Sequence, residues 1–155
     1  VSQPDRETVY AALLTLLNTA LGNGNPFKTV SRTLKPINGF PPGQAPALFQ
    51  TQGLEDIAQK KGQPAVRTFH VRLVVYSFSG AAGTAGIPIP FTTALNNLIT
   101  AIETAVTANM ATGFQQLGIP VSSCLINGKI DYFEQAATSG EWSAAIVPLE
   151  IVATY

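Results

Sequence analysis

Residues 67–79 read RTFHVRLVVYSFS, and the alternation within them decides the fold. Successive side chains of an extended chain point to opposite sides, so Phe69, Val71, Leu73 and Val75 share one face while His70, Arg72, Val74, Tyr76 and Phe78 share the other. The first face is apolar, and the second begins polar and turns apolar. Such a pattern predicts a central strand covered on one side along its whole length. Each half of the chain adds one helix-like segment and several shorter strand-like runs. The expected class is therefore α+β, a mainly antiparallel or mixed sheet of about five or six strands with two helices packed on one face.

Working outward toward the N-terminus, Ser2–Leu21 predicts the first helix. Ser2 and Asp5 form a capping pair, and Val9, Leu13, Leu16 and Leu17 make an apolar stripe that stops before Gly22. Residues 27–35 alternate as a strand that carries Lys28, Arg32 and Lys35. Residues 36–46, PINGFPPGQAP, hold too much Pro and Gly for regular structure. Their Ile37 and Phe40 make the segment either a loop packed on itself or a contact surface for another subunit. Ala47–Gln52 reads as a strand, and the polar residues 53–64 as an exposed hairpin tip or loop.

Toward the C-terminus, residues 80–90, GAAGTAGIPIP, form a small-residue linker without a phosphate-loop pattern. Phe91–Asn109 has a clear helical period through Leu95, Leu98, Ile99 and Ile102. Residues 110–120 lead back to the sheet through Phe114 and Leu117. Residues 121–126 and 129–135 predict two strands, and Asn127-Gly128 between them is the strongest short hairpin signal in the chain. After a turn at Ser139-Gly140, Trp142–Thr154 is a last strand. Pro148 within it has no N–H to donate, which places the strand at an edge or bulges it there. The order is helix, three strands, helix, three strands, in a single domain over residues 1–155.

Bulk composition narrows the functional classes. Only 12% of the 155 residues are charged, against a usual figure of roughly 25%. A surface that sparse in charge suits a subunit covered by partners. Net charge is zero but divided: residues 1–78 carry eight Lys and Arg against four Asp and Glu, a net +4, and residues 79–155 carry Lys129 against five acids, a net −4. Head-to-tail packing would bring the basic part of one copy to the acidic part of the next. Cys124 is the single cysteine, which leaves no disulfide framework and no cysteine metal cluster. No run reaches the roughly 20 apolar residues of a membrane span, and the N-terminus has no secretory pattern. A soluble protein of a reducing compartment is expected.

Catalytic chemistry has thin support. His70 is the only histidine and reads as a partly exposed structural residue beside Arg72. Cys124 reads as a buried small hydrophobe, with no oxyanion turn near it. Asp131, Glu134 and Glu141 supply carboxylates that solvate an edge more readily than they form an acid–base pair. No catalytic, cofactor-binding or metal-binding residues are assigned, and no cofactor is expected. The neutral chain lacks the basic patch of a sequence-specific nucleic-acid reader.

The sequence resembles the tail-terminator proteins of long-tailed bacteriophages over nearly its full length. The resemblance is carried by DRETVYAALLTLL at residues 5–17, SRTLKPINGFPPGQAPALFQTQG at 31–53, VRLVVY at 71–76 and EWSAAIVPLEI at 141–151. It implies a structural virion protein, assembled in the host cytoplasm and located at the head–tail junction. Copies would form a ring, a hexamer in that family, that caps the tail tube, stops its growth and joins it to a head-tail connector or head-completion protein. Genome DNA would pass through the lumen without sequence-specific binding, and no membrane is involved. Joined to the charge division, the resemblance makes Lys28 and Arg32 candidates to meet Asp131 or Glu134 of a neighbouring copy, with Ile37 and Phe40 as apolar anchors. Another connector or a tail-tube subunit is the alternative, and a small hydrolase or ligand-binding domain built around His70 is a further one.

Overall fold

The computed structural model describes residues 4–21, 24–79, 91–108, 117, 121, 123–137 and 140–154. The linker over 80–90 and nearly all of 109–120 lie outside them. In chain order the elements are α1 (Arg6–Leu21), β1 (Thr29–Ser31), β2 (Ala47–Ala58), β3 (Val66–Ser79), α2 (Phe91–Ala108), β4 (Ser123–Ile126), β5 (Asp131–Ala137) and β6 (Gly140–Thr154). The sheet runs β1-β2-β3-β6-β4, and β5 also pairs with β6. The β1–β2 pair is parallel and the remaining pairs are antiparallel, so the sheet is mixed. The expected α+β class and the order of elements both hold.

β3 is central, paired with β2 on one side and with β6 along its full length on the other. Its Phe69, Val71, Leu73 and Val75 join Val9, Leu13 and Leu17 of α1 and Leu95, Leu98 and Ile102 of α2 in the main core. Both helices thus lie on one face, and burying each such side chain contributes about 1.5–3 kcal/mol. Gln50 of β2 donates from Nε2 to the Tyr10 carbonyl at 2.8 Å, and Tyr10 meets Phe69 edge-on at 5.8 Å. These two contacts fix α1 over the β2–β3 pair.

The other face of β3 behaves as its composition demands. Where Val74, Tyr76 and Phe78 replace polar residues, a second core forms with Phe40, Ala45, Ala47, Phe49, Trp142 and Ala144. The Pro-rich segment supplies its cover, so this loop packs on its own chain. Phe40 is therefore a core residue and not an anchor offered to another subunit. Its ring stands edge-on to Phe49, Tyr76 and Trp142 at 5.7, 5.7 and 5.9 Å.

Local expectations fail where tertiary pairing overrides them. α1 starts at Arg6, because the Asp5 side chain takes the Thr8 N–H at 2.7 Å and acts as the cap; Ser2, its expected partner, lies outside the described residues. That bond holds the Asp5 carboxyl below its usual range. β1 is shorter than residues 27–35: after Ser31 the Thr33 N–H turns back to the Ser31 hydroxyl at 3.0 Å and the chain leaves the sheet. β2 runs on to Ala58, through what composition marked as loop, because it stays paired with β3 past a bulge between Gln52 and Glu55. Gly53 sits in that bulge, where any Cβ would collide with the His70 carbonyl oxygen. The bulge moves Glu55 onto the helix face, opposite Phe69, since a one-residue slip exchanges the faces of a strand.

Asn127-Gly128 is not a hairpin. β4 and β5 run in the same direction along one side of β6, end to end, pairing with Leu149–Val152 and Gly140–Ile146 respectively. Residues 127–130 bulge out between them, opposite Val147 and Pro148. The Asn127 N–H still reaches the Pro148 carbonyl at 3.2 Å. That carbonyl faces β4 and β5, so the Pro148 nitrogen does too, and a straight neighbour there would find no donor. Gly128 takes a φ of 125°, and a Cβ on it would lie 3.0 Å from the Pro148 ring. β6 is accordingly an inner strand, and the irregularity that Pro148 causes falls on its neighbour. The true hairpin is β5–β6, closed by Ala137 opposite Gly140.

Candidate functional site

On the face away from the helices the loop covers only part of the apolar surface. A trough of about 520 Å3 remains. Val74 and Tyr76 of β3 and Ala144 and Ile146 of β6 line it as alternate residues of neighbouring strands, with Trp142 at one end. Phe133 of β5 and Leu34 and Ile37 of the loop form its sides. Phe133 and Leu34 are 53% and 47% exposed, unusual for side chains of that size. The Tyr76 hydroxyl donates to the Lys35 carbonyl at 2.8 Å, which ties the loop to the floor; the Trp142 indole N–H is the other polar group among the lining side chains. Burial raises the Tyr76 pKa. No lining side chain is charged or free to act on a substrate, so what the trough offers a partner is apolar contact.

Farther along, this face mixes polar groups with Leu125, Pro148 and Val152. His70 Nε2 lies 2.7 Å from Asp56 Oδ2, and the Asn127 side-chain amide donates to Glu150 at 3.1 Å. His70 and Glu150 face one another across β3 and β6. Cys124 is buried on the helix side among the main-core residues, and burial pushes its thiol up to about 12. The sheet therefore separates Cys124 from His70, so the two do not form a nucleophilic pair. Among the described residues no group of three His, Cys, Asp or Glu side chains is placed to hold a metal ion.

The predicted interface residues scatter. Lys28 is exposed near β1. Arg32 is already engaged: both guanidinium nitrogens meet the Glu7 carboxylate, one at 3.1 Å, and its Cζ stands 5.8 Å over the Tyr10 ring. That pairing lowers the Glu7 pKa, and it takes Arg32 out of the set available to a neighbour. Asp131 is exposed on β5 opposite Ile146; Glu134 stands opposite Ser143, and its side chain lies outside the described residues. Of the six, only Ile37 lines the trough. No family model and no curated protein matches the chain. What the site does must be argued from its geometry.

Four exposed residues escaped the sequence reading: Leu34 and Phe133 on the trough, and Leu54 and Ile57 on β2. Leu34 and Phe133 fall within strand-like runs, where nothing local marks them as exposed. Leu54 and Ile57 sit among charged residues and read as loop.

Proposed function

We propose that this chain is a structural subunit of a phage tail, a tail terminator that forms a ring on the end of the tail tube and joins it to the head-completion proteins. The observation that carries the reading is the half-open apolar trough walled by Leu34 and Phe133, a surface suited to burial by another protein. The sparse charge supports it. So does the sheet order, with β1 and β5 at opposite sides, which suits head-to-tail packing. The segments that carry the resemblance coincide with α1, the trough-side loop with the start of β2, the middle of β3 and most of β6. Together with α2, these elements build both cores. Genome DNA would pass through the lumen without sequence-specific contacts.

Negative-stain imaging of the purified chain, alone and with growing tail tubes, tests the proposal. Rings that sit at tube ends and hold tube length constant are the expected result. Incorporation along the whole tube would make the chain a tube subunit, and indifference to tubes would end the tail reading.

A further inference from the structure

Among the described residues the exposed large apolar side chains are Leu34, Leu54, Ile57, Leu125, Tyr132 and Phe133. All but Leu34 stand on the outer strands of the sheet. β1 covers only Ala47–Phe49 of β2, so Gln50–Ala58, with Leu54 and Ile57, has no described strand beyond it. At the opposite side β4 and β5, with Leu125, Tyr132 and Phe133, pair only with β6 among the described strands. Each margin is apolar on both faces. Ile57, two residues beyond Glu55, lies on the helix face and Leu54 on the other. Tyr132, opposite the main-core residue Ala145, likewise belongs to the helix face, and Phe133 to the trough face. The acids that would guard the β2 edge are already engaged, Glu55 by Arg6 and Arg67 and Asp56 by His70. An unpaired edge with apolar groups on both faces is a place for another strand to add, because one added strand pairs the backbone and covers both faces at once.

We infer that the sheet continues from one copy of this chain to the next, the free edge of β2 in one copy pairing with β5 at the edge of its neighbour. The inference rests on the ring reading and supplies the joint between its subunits. β2 and β6 both run antiparallel to β3, and β5 runs antiparallel to β6, so β2 and β5 have opposite senses. A neighbour that continues the sheet without inversion therefore presents β2 antiparallel to β5. Leu54 and Phe133 then share one face of the joint, and Ile57 and Tyr132 the other. An aromatic beside a β-branched residue, as Tyr132 beside Ile57, is among the cross-strand pairs that stabilise a sheet. Charge favours unlike edges over either edge paired with itself: β2 lies in the half of the chain with a net +4 and β5 in the half with a net −4. Such a joint is heterologous, so each copy that adds leaves one edge of each kind unused until a ring closes.

Hydrogen exchange, sedimentation velocity and native mass spectrometry of the full chain test the joint. On assembly the amides of Gln50–Ala58 that face away from β3 should exchange at least about tenfold more slowly than in the dilute monomer. Ile57→Asp and Tyr132→Asp change exposed positions on the face away from the trough, and matching thermal melts establish that each variant folds. Each alone is expected to dissociate at about tenfold higher concentration or more than the parent. Mixed, they should give a one-to-one complex and nothing larger, because only the intact β2 edge of one meets the intact β5 edge of the other.

Several results would overturn the inference: a parent chain that is monomeric at its solubility limit, an assembly that leaves the Gln50–Ala58 amides unprotected, or a mixture of the two variants that stays monomeric. Assembly lost on Phe133→Asp but untouched by Ile57→Asp and Tyr132→Asp would assign the contact to the trough instead of the strand edges. A two-fold dimer that survives Ile57→Asp and not Tyr132→Asp would make the joint β5 on β5. Rings that cap tube ends while their β2 amides exchange freely would sink the strand joint and leave the tail reading intact, whereas an edge-paired ring that ignores tubes would do the reverse.

Discussion

Phe40 shows how one side chain decides whether a loop belongs to the core. It is 4% exposed and touches three other aromatic rings edge-on, an arrangement that adds to area burial. Phe40→Ala should cost about 3–5 kcal/mol in urea unfolding; an unchanged midpoint would show that residues 36–46 are not part of the cooperative unit. Glu55 is the counterpart among polar residues. Its carboxylate accepts from Arg6 Nε at 2.6 Å and from Arg67 Nη1 at 2.9 Å, and the Arg6 bond foremost lowers its pKa. A lowered folded value means that the contribution is present in full above the ordinary carboxylate range, near about 4.3, and is lost as pH falls through the folded value. Glu55→Gln should therefore lower stability at neutral pH and flatten its decline in acid, measured as melting temperature against pH. A parallel downward shift at every pH would assign the loss to packing. Cys124, with its thiol raised to about 12 and buried, should resist alkylation at pH 8 until urea unfolds the chain.

Among the elements, β4 and β5 act as one edge interrupted where β6 lacks a donor. Gly128→Ala puts a Cβ against the Pro148 ring at a φ that side chains rarely adopt, and should cost more than about 1 kcal/mol. Changing Pro148 to Val in the Gly128→Ala background should recover part of that loss by removing the ring. No recovery would place the strain in the backbone conformation alone. On the helix side, Leu98 of α2 is 5% exposed, and Leu98→Ala should cost about 2–5 kcal/mol.

For the whole molecule, the sheet has two unlike faces. The helix face is a closed core. The other face is closed only where the loop reaches, and under the proposed assembly role of the open trough, stability and assembly should separate by mutation. Phe133→Asp is expected to alter association with little change in melting temperature, and Phe40→Ala to do the opposite. His70→Ala, on the polar half of that face and away from the trough, should leave particle assembly and infectivity intact. A well-folded His70→Ala subunit that assembles and yet yields non-infectious particles would point to chemistry at the His70–Asp56 pair.

The sequence by itself determined the class of fold, because period-two and helical apolar patterns are local properties: β3, the stripes of α1 and α2, and the change of β3's second face from polar to apolar were all legible. Pro148 signalled an irregularity, but the expected edge or bulge in its own strand is found instead in the neighbouring one. What only the tertiary structure decided depends on residues far apart in the chain. Asn127-Gly128 carries a hairpin's chemistry, yet it forms a bulge, since the donor missing at Pro148 lies 20 residues away in sequence. β2 runs on through Gly53, Glu55 and Asp56 because β3 continues to pair with it, and a bulge there delivers Glu55 to two arginines. Phe40 and Phe133 are alike in composition and opposite in fate. One was covered by the packing of its own loop and the other was left half open, and burial of that kind is a property of the assembled surface, which no local pattern encodes.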